Sequence, residues 1–94
     1  MYNRRYIIES IEEFGSHNPI YDDVEGCICY PAYLKEGERG WFLYEPSIPD
    51  IAKAHRIHTS VVKSVEYMGD RIVVITENTK FVFKVAEDIY DGGV

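Results

Sequence analysis

The stretch Arg71-Ile72-Val73-Val74-Ile75-Thr76-Glu77-Asn78-Thr79-Lys80-Phe81-Val82-Phe83-Lys84-Val85 decides the fold class. Arg71 to Thr76 is a strongly apolar run of β-branched residues, which suit a pleated, buried surface. Lys80 to Val85 alternates, with Phe81, Phe83 and Val85 facing one way and Val82 and Lys84 the other. Glu77-Asn78-Thr79 between them reads as a tight turn, with Asn78 suited to a positive φ. Two strands joined so closely form an antiparallel hairpin.

Upstream, Met68-Gly69-Asp70 is a second turn, and Arg56 to Tyr67 reads as a strand with Ile57, Thr59, Val61, Val65 and Tyr67 in one register. Trp41-Phe42-Leu43-Tyr44 is a continuous apolar run, expected to be covered on both faces or closed into a small barrel. The polar segment Lys35 to Gly40 joins it to a strand over Cys27–Leu34. Pro31 places that strand at an edge or at a bulge, because proline donates nothing to a ladder. Pro46 to Asp50 reads as a rigid loop, and residues 51–54 as a single helical turn.

Residues 4–14 show a different period. Ile7, Ile8, Ile11 and Phe14 recur at three- and four-residue spacing, Asn3 suits an N-cap and Gly15 a C-terminal stop, so a helix is expected. Its charges oppose the dipole, with Arg4-Arg5 at the start and Glu12-Glu13 at the end. Such a helix depends on docking. The expected fold is α+β and mostly β: one domain over 1–94, with a helix over 1–15, a five-stranded antiparallel bent sheet or small SH3-like barrel over 26–85, and an acidic tail over 86–94.

The chain has 94 residues, 46% of them hydrophobic, with eight tyrosines, four phenylalanines and Trp41. That composition excludes disorder. The net charge of −6 makes direct nucleic-acid binding a poor expectation, since phosphate affinity rests on clustered Lys and Arg. The acids lie in two blocks: Glu9, Glu12, Glu13, Asp22, Asp23 and Glu25, then Glu87, Asp88 and Asp91, with no Lys or Arg inside either. Such blocks serve as a solvated surface or as an anionic face for a basic partner. No apolar run approaches a membrane span, and Glu9 interrupts any signal-peptide core, so a cytoplasmic protein without membrane contact is expected.

Three sets of residues carry candidate chemistry. Glu9, Glu12, Glu13, Asp22, Asp23 and Glu25 form the candidate partner-binding set. They would imitate phosphates towards the Lys and Arg of a host protein, a nucleic-acid enzyme being one such partner. Arg39, Trp41, Arg56, Arg71 and Asn78 would suit phosphate and base in a small-ligand or nucleotide-binding protein acting as an oligomer. Cys27, Cys29, His55 and His58 are the ligand types of a structural zinc site in a stapled adaptor. Their spacing argues against that site, because C-x-C is not the usual knuckle and two histidines three apart on a strand face opposite ways. Buried thiols and surface histidines are the competing reading, and no cofactor is expected. Catalysis lacks a nucleophile elbow or a helix N-terminus beside either cysteine, so no enzyme is expected. The tyrosines suit either a core or an interface. The edge at Pro31 could pair with a second copy, giving a homodimer.

His58-Thr59-Ser60-Val61-Val62 followed by Thr76-Glu77-Asn78-Thr79-Lys80-Phe81 resembles small β-roll accessory proteins of bacteriophages and mobile elements. The likeness covers roughly residues 58–85. It implies a host-takeover role, and some small acidic proteins of that kind block host immune nucleases, as anti-CRISPR proteins do. No functional residue is carried over from it.

Overall fold

A computed structural model of the chain describes residues 5–45 and 55–86. Six strands follow one another: β1 Tyr6–Glu13, β2 Ile28–Tyr33, β3 Arg39–Glu45, β4 His55–Met68, β5 Arg71–Thr76 and β6 Thr79–Val85. Each pairs antiparallel with its neighbours in chain order, and β1 also pairs with β6, which closes the sheet into a barrel. No α-helix occurs among the described residues, and none is long and apolar enough to cross a membrane.

The small barrel expected from the alternating segments is present, but the N-terminal helix is not. Residues 6–13 are a strand instead, for a local reason. Ile8 faces Phe83 and Ser10 faces Val82, so Glu9 is an extra residue bulged out of the ladder. Past the bulge Ile11 faces Phe81. The bulge changes the two-residue period of inward side chains to a gap of three between Ile8 and Ile11, which imitates a helical stripe. Tyr6 and Ile8 are buried and Ile11 packs against the core, while Phe14 is half exposed.

The interior is built by strand alternation. Phe81 and Phe83 stack at 5.9 Å, and Phe42 meets them edge-on at 5.5 and 5.4 Å. Each edge-on pair is worth about 0.5–1.5 kcal/mol beyond its area. Ile8, Ile57, Val62, Ile72 and Val74 complete the core around the three rings.

β4 is long enough to serve two neighbours. His55 to Val61 pairs with β3, and Val62 to Met68 pairs with β5. Register shifts opposite Gly40 and between Val62 and Ser64 bend it. The expected register holds at Ile57 and Thr59 and fails at Val61, where Val62 is buried instead; the second shift restores it, with Val65 packed on the core opposite Val74 and Tyr67 opposite Ile72 at the exposed end of the strand. Pro31 is buried beside a register shift between Pro31 and Tyr33, so it marks a bulge. β2 lies between β1 and β3, but β1 pairs only with Ile28 and Cys29, so around Pro31 the stretch Tyr30–Tyr33 has β3 as its one strand partner among the described residues.

The docking expected of the helix is made instead by the connector between β1 and β2. Its 3₁₀ turn Pro19–Tyr21 is capped by the Asn18 side chain, which accepts from the Ile20 N–H at 3.1 Å. Tyr21 meets Phe81 edge-on at 5.7 Å, and Val24 is fully buried. Gly26 then turns the chain into β2 with φ 90°, where a Cβ would be strained. Its N–H donates to Ile8 O at 2.7 Å, and the Ile8 N–H donates to Cys27 O at 3.0 Å. At the other terminus, Ala86 is buried and donates its N–H to Arg5 O at 3.1 Å, so it belongs to the barrel and not to a tail. Asn3, Arg4, the loop over 46–50, the turn over 51–54 and the rest of the tail lie outside the described residues.

Candidate functional site

Along part of β4 the barrel wall opens. β5 reaches only as far as Val62, so among the described residues the side of His55–Val61 turned away from β3 has no strand partner. A cleft of about 620 Å³ lies there. One wall is the end of β1 and the connector, with Glu13, Gly15, Ser16, Asn18 and Tyr21. The other is Arg39 of β3 with His58 to Val61 of β4, and Glu77, Asn78 and Thr79 form the floor.

The floor is fixed by one buried hydroxyl. Thr76 Oγ1 accepts from the Ser60 hydroxyl at 2.9 Å and from the N–H groups of Thr79 and Asn78 at 3.0 and 3.2 Å, and lies 2.8 Å from Thr79 Oγ1. That bonding ties the Glu77-Asn78 turn without a left-handed residue; no described non-glycine has a positive φ, contrary to the expectation for Asn78.

Arg39 is aimed by the β4 bulge. Its Nε donates to Thr59 O at 2.9 Å. The Thr59 side chain is buried, accepts the Gly40 N–H at 3.0 Å and donates to Ser60 O at 2.7 Å. Gly40 is required here, because a Cβ would sit 2.7 Å from Tyr33 O.

His17 organises the other wall. Its two ring nitrogens lie 2.7 Å from Glu13 Oε1 and 2.6 Å from Asp22 Oδ1. Glu13 also accepts the Asn18 N–H at 2.6 Å. These contacts hold the Glu13 carboxyl below its usual range, through the Asn18 N–H first and His17 second. They push the His17 pKa up, through Glu13 first and Asp22 second.

The residues of the three candidate sets are dispersed differently from their sequence grouping. Among the acids, Glu9 is clamped by Arg71, whose bond to it lowers its pKa. Glu13 and Asp22 hold His17, and Glu25 Oε2 accepts the Ile11 N–H at 3.0 Å. Glu12 and Asp23 make no side-chain hydrogen bond or ion pair among the described residues. Of the ligand set, Arg39 and Asn78 share the cleft. Arg56 sits 4.6 Å over the Trp41 ring on the β3–β4 hairpin, and Arg71 is taken by Glu9 and Asp70.

Of the zinc set, Cys29 is fully buried inside the barrel while His55 and His58 are exposed on its outside. Among the described residues no group of three or more His, Cys, Asp or Glu side chains is placed to hold a metal ion. Burial raises the thiol pKa of Cys29 well above its ordinary value, and that of Cys27 less so. Cys27 Sγ donates to Asp23 O at 3.1 Å.

His17, Ser60 and Glu77 belonged to none of the three sets. For His17 a signal was available: acids four before and five after it, next to the capping pair Asn18-Pro19. Comparison with protein families, with curated proteins and with solved structures found nothing that matches this chain.

Proposed function

We infer that this protein is a small non-enzymatic binding domain that engages the basic surface of a partner protein through the acidic side of its barrel. One observation carries the reading: the connector folds back along β1. Its bonds from Gly26 N–H to Ile8 O and from Ile11 N–H to Glu25 lay one acidic segment on another. Glu13 and Asp22 meet at His17, Glu25 reaches β1 at Ile11, and from Tyr6 to Leu34 the chain contains no Lys or Arg. His17 is the one basic side chain in that stretch of sequence, and it is held between two of the carboxylates. Complementary charge of this kind speeds encounter and selects partners. The resemblance of residues 58–85 makes a host enzyme of nucleic acids the partner class, its phosphate-binding Lys and Arg being the groups covered.

The test reverses Glu12 and Asp23 to Lys, because neither side chain makes a hydrogen bond or ion pair among the described residues. Affinity is measured against a panel of Lys- and Arg-rich peptides and proteins at several salt concentrations. Weaker binding with a shallower salt dependence is expected. Unchanged affinity would sink the reading. Among the described residues a homodimer through an open strand edge could use His55–Val61 of β4 or Tyr30–Tyr33 of β2, and size-exclusion chromatography with light scattering at two concentrations detects it.

A further inference from the structure

We propose that the cleft beside β4 binds a small zwitterion, its anionic group on the Arg39 guanidinium and its cationic group on the Glu77 carboxylate. The arrangement follows from register. Arg39 pairs with Val61 across β3–β4, and the Glu77 N–H donates to Val61 O at 3.0 Å from the opposite side. The two residues therefore flank Val61, with backbones two strand spacings apart, about 10 Å. All three line the cleft. No ion pair joins Arg39 to Glu77 among the described residues.

Both charged groups are held by the fold and left unsatisfied at their tips. Among the described residues Arg39 spends only Nε, on Thr59 O, which leaves its two terminal amino groups as a fork that suits a carboxylate or a phosphate. The Thr59 and Gly40 contacts keep that fork in place. Glu77 stands on the turn tied down by Thr76, and its carboxylate has no hydrogen bond or ion pair among the described residues. His58 and Asn78, which also line the cleft, add further hydrogen-bonding groups. A singly charged ligand fits less well: an anion meets Glu13 and Glu77, and a cation meets Arg39. The volume of about 620 Å³ suits a small molecule or one terminal residue. The required chemistry, a carboxylate and an ammonium several bonds apart, occurs in free basic amino acids and in a chain ending in lysine.

The experiment titrates the ¹⁵N-labelled full chain with 6-aminohexanoate, hexanoate and hexylamine. Saturable shifts of the Gly40, Glu77 and Asn78 amides are expected with the zwitterion, and far weaker ones with either singly charged analogue. Losing one charge-assisted contact should weaken binding about tenfold or more. Arg39→Gln and Glu77→Gln test this separately, the second lying on an exposed turn where folding is not at risk. Hexanoate or hexylamine binding as tightly as 6-aminohexanoate, or no saturable shift with any of the three, would overturn the proposal. L-lysine binding more tightly than Nα-acetyl-L-lysine supports the free amino acid as the source, and the reverse order supports a chain terminus. The Glu12→Lys and Asp23→Lys variants leave this cleft intact, so its outcome stands apart from that of the acidic face.

Discussion

Arg71 grips both oxygens of Glu9, Nε to Oε1 at 2.8 Å and Nη2 to Oε2 at 2.8 Å, and so links β5 to the bulge of β1 across β6. The bulge turns Glu9 out of the ladder and into reach. Both groups are partly solvated, so the pair is open to screening. Glu9→Gln should lower the urea midpoint slightly at low salt, and the difference from the parent should vanish near molar salt. A difference that persists at high salt would assign the effect to the bulge itself.

The His17 contacts predict a pH window. The folded pKa of His17 is raised, so its stabilising contribution is complete below the ordinary value of 6.5 and is lost as pH rises through the folded value. The folded pKa of Glu13 is lowered, so its contribution is complete above the ordinary 4.5 and is lost as pH falls through the folded value. The clasp is therefore strongest between those limits. Thermal melts of the parent and of His17→Gln should differ most between the ordinary values of 4.5 and 6.5 and converge as pH rises through the raised folded value of His17. Parallel curves across the whole range would remove His17 as the cause.

Phe81 has the most ring partners in the core, touching Tyr21, Phe42 and Phe83. Phe81→Ala should cost about 3–5 kcal/mol, a large share of the stability of a domain this size. Denaturant unfolding measures it directly. A cost below about 1 kcal/mol would mean that the connector and barrel collapse into the space.

Thr76→Val keeps the shape of a buried side chain but removes the oxygen shared by Ser60, Asn78 and Thr79. Leaving such donors unsatisfied costs about 1–3 kcal/mol. Amide exchange should quicken first at Asn78 and Thr79, ahead of the core amides of Phe81 and Phe83. Uniform quickening would show a global effect with no local loosening of the turn.

Much of the barrel was readable in the sequence because β2, β3, β5 and β6 keep their two-residue period over most of their length. Where a bulge intervenes, the period fails. Glu9 made a strand look helical, and the first bulge of β4 put Val62 in the place expected for Val61 before the second restored the register at Val65. The site was legible only in fragments. Glu13, Arg39, His58 and Asn78 were each singled out, but in three separate sets. They meet in one cleft only because β1 closes on β6 and the connector folds back beside β4, and neither event leaves a local mark.

The closure of β1 onto β6 also bears on how the molecule forms. Ile8 finds Phe83, and Tyr6 finds Val85, so the earliest strand must wait for the latest. Pairings between such distant positions raise contact order and slow folding. During synthesis β2 to β5 can pair as they emerge, but β1 has no β6 to close against until the ribosome releases the segment up to Val85. Until then Ile8 and Ile11 stay uncovered, so the nascent chain passes through a stage in which its first strand invites chaperones or a neighbouring copy to take the place of β6.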